Sequence, residues 1–277
     1  MKRIILFFVL CFTSLYASAN AHVFYDFASA SYIVENNRQE VRPIASITKI
    51  ITAITVLESG VNLDELVKVN GRSYGFVPNG ALMSRMDLMR AMLISSDNRA
   101  AEALANHHPG GFLMFVLAAN KYLESHALYN TRIVDSSGLL PGNVSTAHEL
   151  IELLALIKNN HVIRSIASER YTSVNAPKGK KTVTINLRNT NPEIFTYDNI
   201  LISKTGYTSP AGRCVLMLVE KKQELYGIVV LGQKNVKDRS KIVKELLSVN
   251  YEPNIYPKFK TIITDFDLPK LDETFTK

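Results

Sequence analysis

Cysteine is scarce in this chain, with only Cys11 and Cys214 among 277 residues. Cys11 lies in an N-terminal segment that we expect to be removed, which leaves one cysteine in the mature protein. A single cysteine excludes an intramolecular disulfide, so the fold must be stabilised by its core, which a chain of this length can bury. Because Cys214 precedes the apolar residues 215–217, we expect a buried strand residue rather than a reactive thiol.

Long apolar runs are lacking after the first residues. At the start, Lys2 and Arg3 precede the apolar residues 4–15, and the small residues 17–19 are typical of a signal-peptidase site. The apolar stretch is shorter than the roughly 20 residues that a bilayer-spanning helix needs. We therefore expect residues 1–19 to be a cleaved signal peptide and the mature chain to be exported without a membrane span.

A strong excess of charge is also lacking. The formal net charge is +7, and removing the two cations of the signal leaves 7 − 2 = +5. The densest basic cluster, Lys178, Lys180 and Lys181, is better explained as a hairpin tip than as a nucleic-acid site, because no aromatic residues interleave with it. The composition therefore predicts no nucleic-acid partner.

Apolar periodicity predicts a helical middle and a strand-rich last third. Residues 46–59 are rich in β-branched side chains, but their length without a turn signal and their helical apolar spacing favour a buried helix. The other predicted helices are 84–94, 98–107, 112–125, one from 146 and 238–249; the predicted strands are 31–35, 171–174, 183–187, 200–204, 214–220 and 226–231.

This order of elements predicts an α/β fold of the α+β type. We expect an antiparallel sheet flanked by helices, with a helical lobe inserted between the edges of the sheet. One domain should cover residues 20–250, followed by an irregular tail at residues 251–277, where three prolines interrupt any periodicity.

The first candidate site is Ser46-Ile47-Thr48-Lys49 at the start of the predicted buried helix. Positions i and i+3 share a helix face, so the hydroxyl of Ser46 and the amine of Lys49 can meet. A serine becomes nucleophilic when a base removes its proton, and burial shifts a lysine amine toward the neutral form that can act as this base. Alone the spacing is weak evidence, because Ser-x-x-Lys arises by chance about once in a chain this long.

The second candidate site is Lys204-Thr205-Gly206, which closes a predicted strand. A fixed cation beside a hydroxyl suits a substrate carboxylate, and a glycine lets a substrate backbone approach the strand. A strand end followed by a turn glycine would explain the same three residues.

The third candidate site is Ser96-Asp97-Asn98, between two predicted helices. A serine hydroxyl could relay a proton to a leaving amine, and an asparagine amide could hold a substrate carbonyl. Ser-x-Asn occurs elsewhere in the chain, and helix capping by Ser96 or Asn98 is the alternative interpretation.

The three motifs together occur in the order found in penicillin-binding proteins and class A β-lactamases. From about Tyr32 to Val249 the chain resembles the low-molecular-mass penicillin-binding proteins, which are serine peptidases of D-alanyl-D-alanine. Residues 43–49, 96–101, 135–139, 188–191 and 204–208 look like blocks of that family, and residues 105–111 look most like its periplasmic endopeptidases.

The resemblance implies a fold like that of β-lactamases and transpeptidases, and a role for each of eight residues. Ser46 would be the acylated nucleophile, Lys49 its base and Ser96 the proton relay. The substrate-binding residues would be Asn98, Lys204, Thr205, Gly206 and Tyr207, with the N–H groups of Ser46 and Tyr207 forming the oxyanion hole. The implied partners are peptidoglycan peptides and covalently inhibiting β-lactams, in the periplasm, with no cofactor and no metal.

The function that we expect is D,D-endopeptidase cleavage of D-alanyl cross-links, with D,D-carboxypeptidase activity as the alternative. A non-hydrolytic β-lactam sensor is less favoured, because such sensors are normally tied to a membrane domain. A class A β-lactamase would need a Glu-x-x-Leu-Asn element, which is missing between Asn98 and Lys204. A zinc peptidase is disfavoured because Glu152 occupies the position of the second histidine after His148.

Overall fold

The computed structural model describes residues 20–249, and its centre is a five-stranded antiparallel sheet with the order β2-β1-β11-β10-β9. The strands of this sheet are β1 (Ala21–Asp26), β2 (Ser31–Asn36), β9 (Ile200–Thr208), β10 (Gly212–Lys221) and β11 (Glu224–Gln233). Within the described residues, β2 and β9 are the edges, and the chain between them supplies most of the helices. The predicted architecture is confirmed.

The smaller strands form three two-stranded sheets. They are β3 (Arg42–Pro43) with β6 (Val144–Ser145), β4 (Leu66–Lys68) with β5 (Leu82–Ser84), and β7 (Tyr171–Lys178) with β8 (Lys181–Arg188). The last pair is the predicted hairpin with its basic tip.

The helices of the described residues cover both faces of the sheet and build the inserted lobe. They are α1 (Thr48–Glu58), α2 (Arg85–Ile94), α3 (Asn98–Asn106), α4 (Gly111–Ser125), α5 (Ala147–Ile157), α6 (His161–Ala167) and α7 (Val236–Ser248), with short 3-10 helices at Ala45–Ile47 and Pro192–Phe195. None of the helices in this part of the chain is long and apolar enough to cross a membrane.

Both faces of the sheet are buried, as β10 illustrates. Cys214, Leu216 and Leu218 point to the larger core, while Val215 and Met217 point to a second core beneath α7. Because side chains alternate along a strand, burial on both sides requires a continuous apolar run, which is the run seen in the sequence. Cys214 is completely buried, and burial raises the pKa of its thiol to about 11, so it is the predicted inert core residue.

Helix α1 is buried along nearly its whole length, from Thr48 to Val56. Its buried hydroxyl groups have hydrogen-bond acceptors: Thr52 Oγ1 donates to the Ser136 carbonyl at 2.7 Å and Thr55 Oγ1 to the Ile51 carbonyl at 2.8 Å. Tertiary burial therefore overrides the strand preference of its β-branched residues, as the apolar spacing predicted.

Sequence analysis missed the four short strands β3 to β6 and two longer elements. Strand β1 pairs with both β2 and β11, but its residues directly follow the predicted signal and were not assigned to a strand. Helix α6 has only seven residues, capped by the Asn160 side chain, and is too short to show periodicity. The predicted signal peptide and the predicted tail at residues 251–277 lie outside the described residues.

Candidate active site

An open cleft of about 290 Å³ lies between the edge strand β9 and the helical lobe. It is lined by Ser46, Ser96, Asn98, Leu139, Thr190, Thr205, Gly206, Tyr207, Arg213, Val236 and Arg239. Six of the eight predicted site residues are in this lining. The other two, Lys49 and Lys204, are buried beneath it with 0% and 1% of their surface exposed.

The floor of the cleft consists of Ser46, Lys49 and the backbone carbonyl of Ser137. Lys49 Nζ lies 2.9 Å from Ser46 Oγ and donates to the Ser137 carbonyl at 2.6 Å. It also donates to Asn98 Oδ1 at 2.7 Å. An amine with these three neighbours has no room to turn away from the serine, so the floor is organised before any substrate enters.

Burial lowers the pKa of Lys49 to about 7, because the charged amine loses its hydration. The carboxylates of Asp135 and Asp97 act in the opposite direction, but neither contacts the amine directly. A lysine with a pKa near neutrality is substantially unprotonated at physiological pH. The amine of Lys49 can therefore accept a proton from Ser46, as a general base must.

The backbone before Ser46 is held in a left-handed turn. Ala45 has φ +47°, a conformation that L-residues rarely adopt. Gly138, with φ +81°, packs so closely that a Cβ atom there would lie 1.9 Å from the Ala45 carbonyl oxygen. On the other side, a Cβ at Gly206 would lie 2.9 Å from Ser46 N. Because Gly138 and Gly206 have no side chains, the two chain segments that contain them pack closely on either side of Ser46.

A polar loop, residues 135–143, supports the floor of the cleft. Asp135 Oδ1 accepts hydrogen bonds from the N–H groups of Ser137, at 2.7 Å, and of Gly138, at 2.5 Å. Its Oδ2 accepts from Asn143 Nδ2 at 2.9 Å and from the Leu140 N–H at 2.8 Å. The carboxylate of Asp135 therefore fixes the turn that presents the Ser137 carbonyl to Lys49.

The Ser96-Asp97-Asn98 segment forms the lobe side of the cleft. Asp97 caps helix α3 by accepting from the Ala100 N–H at 2.7 Å, so the expected alternative of capping by Ser96 or Asn98 is wrong. Ser96 has φ +60° and no hydrogen-bond partner among residues 20–249, which leaves its hydroxyl available to the cleft. Asn98, the first residue of α3, lines the cleft while accepting from Lys49.

Strand β9 forms the opposite side of the cleft. Thr205 Oγ1 lies 2.6 Å from Thr190 Oγ1, which holds the two hydroxyls together at the cleft surface. Lys204 Nζ donates to the Thr205 carbonyl at 2.9 Å. Burial and the nearby charges of Lys49 and Arg239 lower the pKa of Lys204 well below that of an exposed lysine. An anion entering the cleft would reverse this effect, because it would favour the ammonium form.

Two arginines that sequence analysis did not identify also line the cleft. Arg239 lies on α7 one turn after Val236, is 3% exposed, and has a carboxylate neighbour in Glu193 at 3.6 Å. Its Nε and one terminal nitrogen make no hydrogen bond within the described residues. The guanidinium of Arg213 lies over the Tyr207 ring at 3.6 Å. These cations give this end of the cleft a strong preference for anions.

The side chains of His148 and Glu149 are hydrogen-bonded to other residues of the protein. Nδ1 of His148 lies 2.6 Å from the hydroxyl of Tyr32, and the Glu149 carboxylate accepts from Asn130 and Thr131. Across residues 20–249 there is no group of three or more histidine, cysteine or acidic side chains that could hold a metal ion.

Comparison with known structures assigns the class. The chain is similar to a penicillin-binding protein from Listeria monocytogenes, solved with cefotaxime bound: the TM-score is 0.73 at 26% identity, over 84% of this chain and 97% of that one. The fold is that of the penicillin-binding proteins.

Sequence comparison identifies the family within this class. Residues 13–235 match the family described as D-alanyl-D-alanine carboxypeptidase. A D-alanyl-D-alanine endopeptidase of Escherichia coli is 36% identical over 74% of this chain and 68% of its own length. A D-alanyl-D-alanine carboxypeptidase of Salmonella typhimurium is 29% identical over 83% of this chain and 62% of its own length. The chain therefore belongs to the D-alanyl-D-alanine carboxypeptidase family of serine peptidases.

Proposed function

We propose that this protein hydrolyses D-alanyl peptide bonds of peptidoglycan through an acyl-enzyme on Ser46. The observation that carries the proposal is the fully buried amine of Lys49, 2.9 Å from Ser46 Oγ and with a pKa of about 7. Among the described residues, this pair combines a cleft-lining hydroxyl with a base of suitable pKa.

In the acylation step, Lys49 takes the hydroxyl proton as Ser46 Oγ attacks the carbonyl carbon of the D-alanyl residue at the scissile bond. The developing oxyanion would be bound by the N–H groups of Ser46 and Tyr207. Ser46 lies in the first turn of a 3-10 helix, where N–H groups have no acceptor within the helix, and Tyr207 lies on an edge strand. The close approach of Gly206 to Ser46 N brings these two segments together.

Departure of the leaving group requires a proton on its nitrogen. The proton held by Lys49 would pass to the amine through the unpartnered hydroxyl of Ser96. Asn98 uses Oδ1 to accept from Lys49, so its Nδ2 remains to donate to a substrate carbonyl. Water then attacks the acyl carbon while Lys49 takes one of its protons, and Lys49 returns that proton to Ser46 Oγ as the acyl bond breaks.

The carboxylate of the substrate would be held at the β9 end of the cleft. Lys204 beneath the surface, the Thr205 hydroxyl and the partly unpartnered guanidinium of Arg239 converge there. Three donors of this kind provide charge-assisted hydrogen bonds, which are stronger than neutral ones.

The substrate that we propose is the D-alanyl cross-link between two stem peptides, cleaved in the periplasm. The endopeptidase relative is more similar to this chain than the carboxypeptidase relative, at 36% against 29% identity. β-Lactams would acylate Ser46 and remain attached for many minutes, because no Glu-x-x-Leu-Asn element activates a deacylating water. The solved relative with bound cefotaxime supports β-lactam binding.

The test is to give the purified enzyme cross-linked muropeptide dimers and pentapeptide monomers at equal concentration and to identify the products by mass spectrometry. The expected result is faster conversion of dimers to monomers than release of D-alanine from pentapeptides. Ser46→Ala serves as the inactive control. Release of D-alanine with dimers left intact would assign carboxypeptidase activity instead, and acylation by penicillin without any peptide turnover would assign a sensor.

A further inference from the structure

Two exposed aromatic side chains stand together on the loop formed by residues 70–80. Tyr74 is 78% exposed and Phe76 is 59% exposed. Their rings pack edge to face, with centroids 6.2 Å apart and an interplanar angle of 68°. Exposed apolar surface of this kind favours contact with a ligand, because water is displaced from both rings at once.

The 70–80 loop is fastened to helix α3 beside the cleft. The Asp97 carboxylate accepts from the N–H groups of Phe76 and Val77, the latter at 3.0 Å. Arg99 Nη1 donates to the Val77 carbonyl at 2.6 Å. Glu102 Oε2 accepts two further N–H groups of the loop, at 2.7 and 2.8 Å. Three charged side chains at the start of α3 thus fix the backbone that carries the aromatic pair.

Two glycines bring the loop into direct contact with the start of α3. A Cβ atom at Gly75 would lie 2.5 Å from Asp97 Oδ1, and one at Gly71 would lie 2.6 Å from Arg99 Cγ. Asp97 stands between Ser96 and Asn98, which both line the cleft. The loop that carries the aromatic pair, called the rim below, is therefore in contact with the segment that forms the Ser96 side of the cleft.

We propose that Tyr74 and Phe76 bind the leaving strand of a cross-linked wall peptide, an inference that rests on the proposed function. In that reaction the leaving amine faces Ser96, so whatever is attached to the amine must pass over the adjacent rim. Free D-alanine is too short to extend beyond the cleft. The leaving group of a cross-link is a whole stem peptide, whose aliphatic segments can pack on the two rings.

The charge beside the loop fits the same ligand. Lys178, at the tip of the β7–β8 hairpin, approaches Gly80 so closely that a Cβ atom there would lie 3.6 Å from Lys178 Cε. Lys180 and Lys181 follow at the same tip. Stem peptides carry free carboxylates, so a basic tip next to an aromatic rim complements a peptide rather than an uncharged surface.

The first experiment compares the wild type with a Tyr74→Ala/Phe76→Ala double variant on cross-linked dimers, pentapeptide monomers and penicillin. We expect kcat/KM for dimers to fall by about tenfold, a change that corresponds to the loss of two modest aromatic contacts. D-Alanine release from monomers and the rate of penicillin acylation should stay within about twofold, because neither ligand reaches the rim.

Two control variants separate a binding role from a structural one. Tyr74→Phe/Phe76→Tyr keeps both rings and should retain dimer cleavage. Tyr129→Ala removes another exposed tyrosine, one that is 76% exposed and lines a different cavity with Asn120 and Arg132, and it should leave all three activities unchanged. Equal losses on all three substrates in the double variant, or no loss on dimers, would overturn the proposal.

A binding measurement keeps this test separate from that of the proposed function. In a Ser46→Ala background, which cannot turn substrate over, the affinity for dimers is measured calorimetrically with and without the Tyr74→Ala/Phe76→Ala changes. We expect about tenfold weaker binding without the rings. If the wild type leaves dimers intact, the endopeptidase function fails on its own, while unchanged dimer affinity in this background would overturn the rim subsite.

Discussion

The floor of the cleft and the 70–80 loop at its rim differ in whether their side chains are buried or exposed. At the floor, Lys49 is completely buried and forms hydrogen bonds with Ser46, Asn98 and the Ser137 carbonyl. At the rim, the backbone is equally well fixed by Asp97, but the side chains of Tyr74 and Phe76 are left in solvent. We therefore expect the floor to determine the reaction and the rim to contribute to the choice of substrate.

The energetic consequences of the two regions differ as well. Burying a lysine is costly, and that cost is what makes its amine a base near neutral pH. Two exposed aromatic rings do not contribute the free energy of burial to the folded protein. They gain this free energy only when a ligand covers them. Changes at the floor should therefore affect every substrate, including penicillin, whereas changes at the rim should affect only large ones.

The largest effect that we expect comes from Lys49→Arg. A guanidinium stays protonated and cannot accept the serine proton, so the rate of penicillin acylation should fall by at least about 1000-fold. Lys244→Arg, an exposed change on α7, is the matched control and should be neutral. Stopped-flow acylation measures both variants, and near-normal acylation by the first would remove Lys49 from the role of base.

An intermediate effect is expected from Gly138→Ala. The new Cβ would collide with the Ala45 carbonyl oxygen and displace Ser46, so acylation should slow by roughly 100-fold for a shift of about 1 Å. Gly179→Ala is the matched control, because it has a similar left-handed φ of +60° with nothing within 4 Å of the new atom. Equal acylation by the two variants would show that backbone strain alone, and not the close packing beside Ser46, matters at Gly138.

A smaller effect is expected from pH. With a pKa of about 7 for Lys49, the neutral fraction of the amine rises with pH, so acylation should become about tenfold faster between pH 6 and pH 8. The sign follows from the base being the deprotonated form, which is lost as the pH falls below 7. A rate that is constant across this range, or that rises only above pH 9, would contradict a depressed pKa.

Much of the floor was predictable from sequence because its chemistry depends on local spacing. Ser46 and Lys49 are one helical turn apart, and the apolar residues around them predicted that the lysine amine is buried. Strands β9, β10 and β11 were predicted from their apolar runs. A strand that is buried on both faces must be apolar at successive positions, so it appears in the sequence as such a run. Both predictions concern residues close together in the chain.

The rest of the site depends on contacts between distant segments. The Ser137 carbonyl, which accepts a hydrogen bond from Lys49, lies 88 positions further along the chain. Arg239, which lines the cleft, belongs to helix α7. The left-handed conformation of Ser96 also gives no signal, because serine is not a residue that favours positive φ. The helix cap at Asp97 was missed because three neighbouring residues were all plausible caps.

The proposed mechanism depends on the identity of the nucleophile, which one measurement tests directly. The wild type and Ser46→Ala are treated with penicillin and digested, and the adduct is located by mass spectrometry. We predict one adduct per wild-type chain, on the peptide that contains Ser46, and none on the folded variant. An adduct on another residue, or one that persists in Ser46→Ala, would contradict the assignment of the floor as the reacting centre.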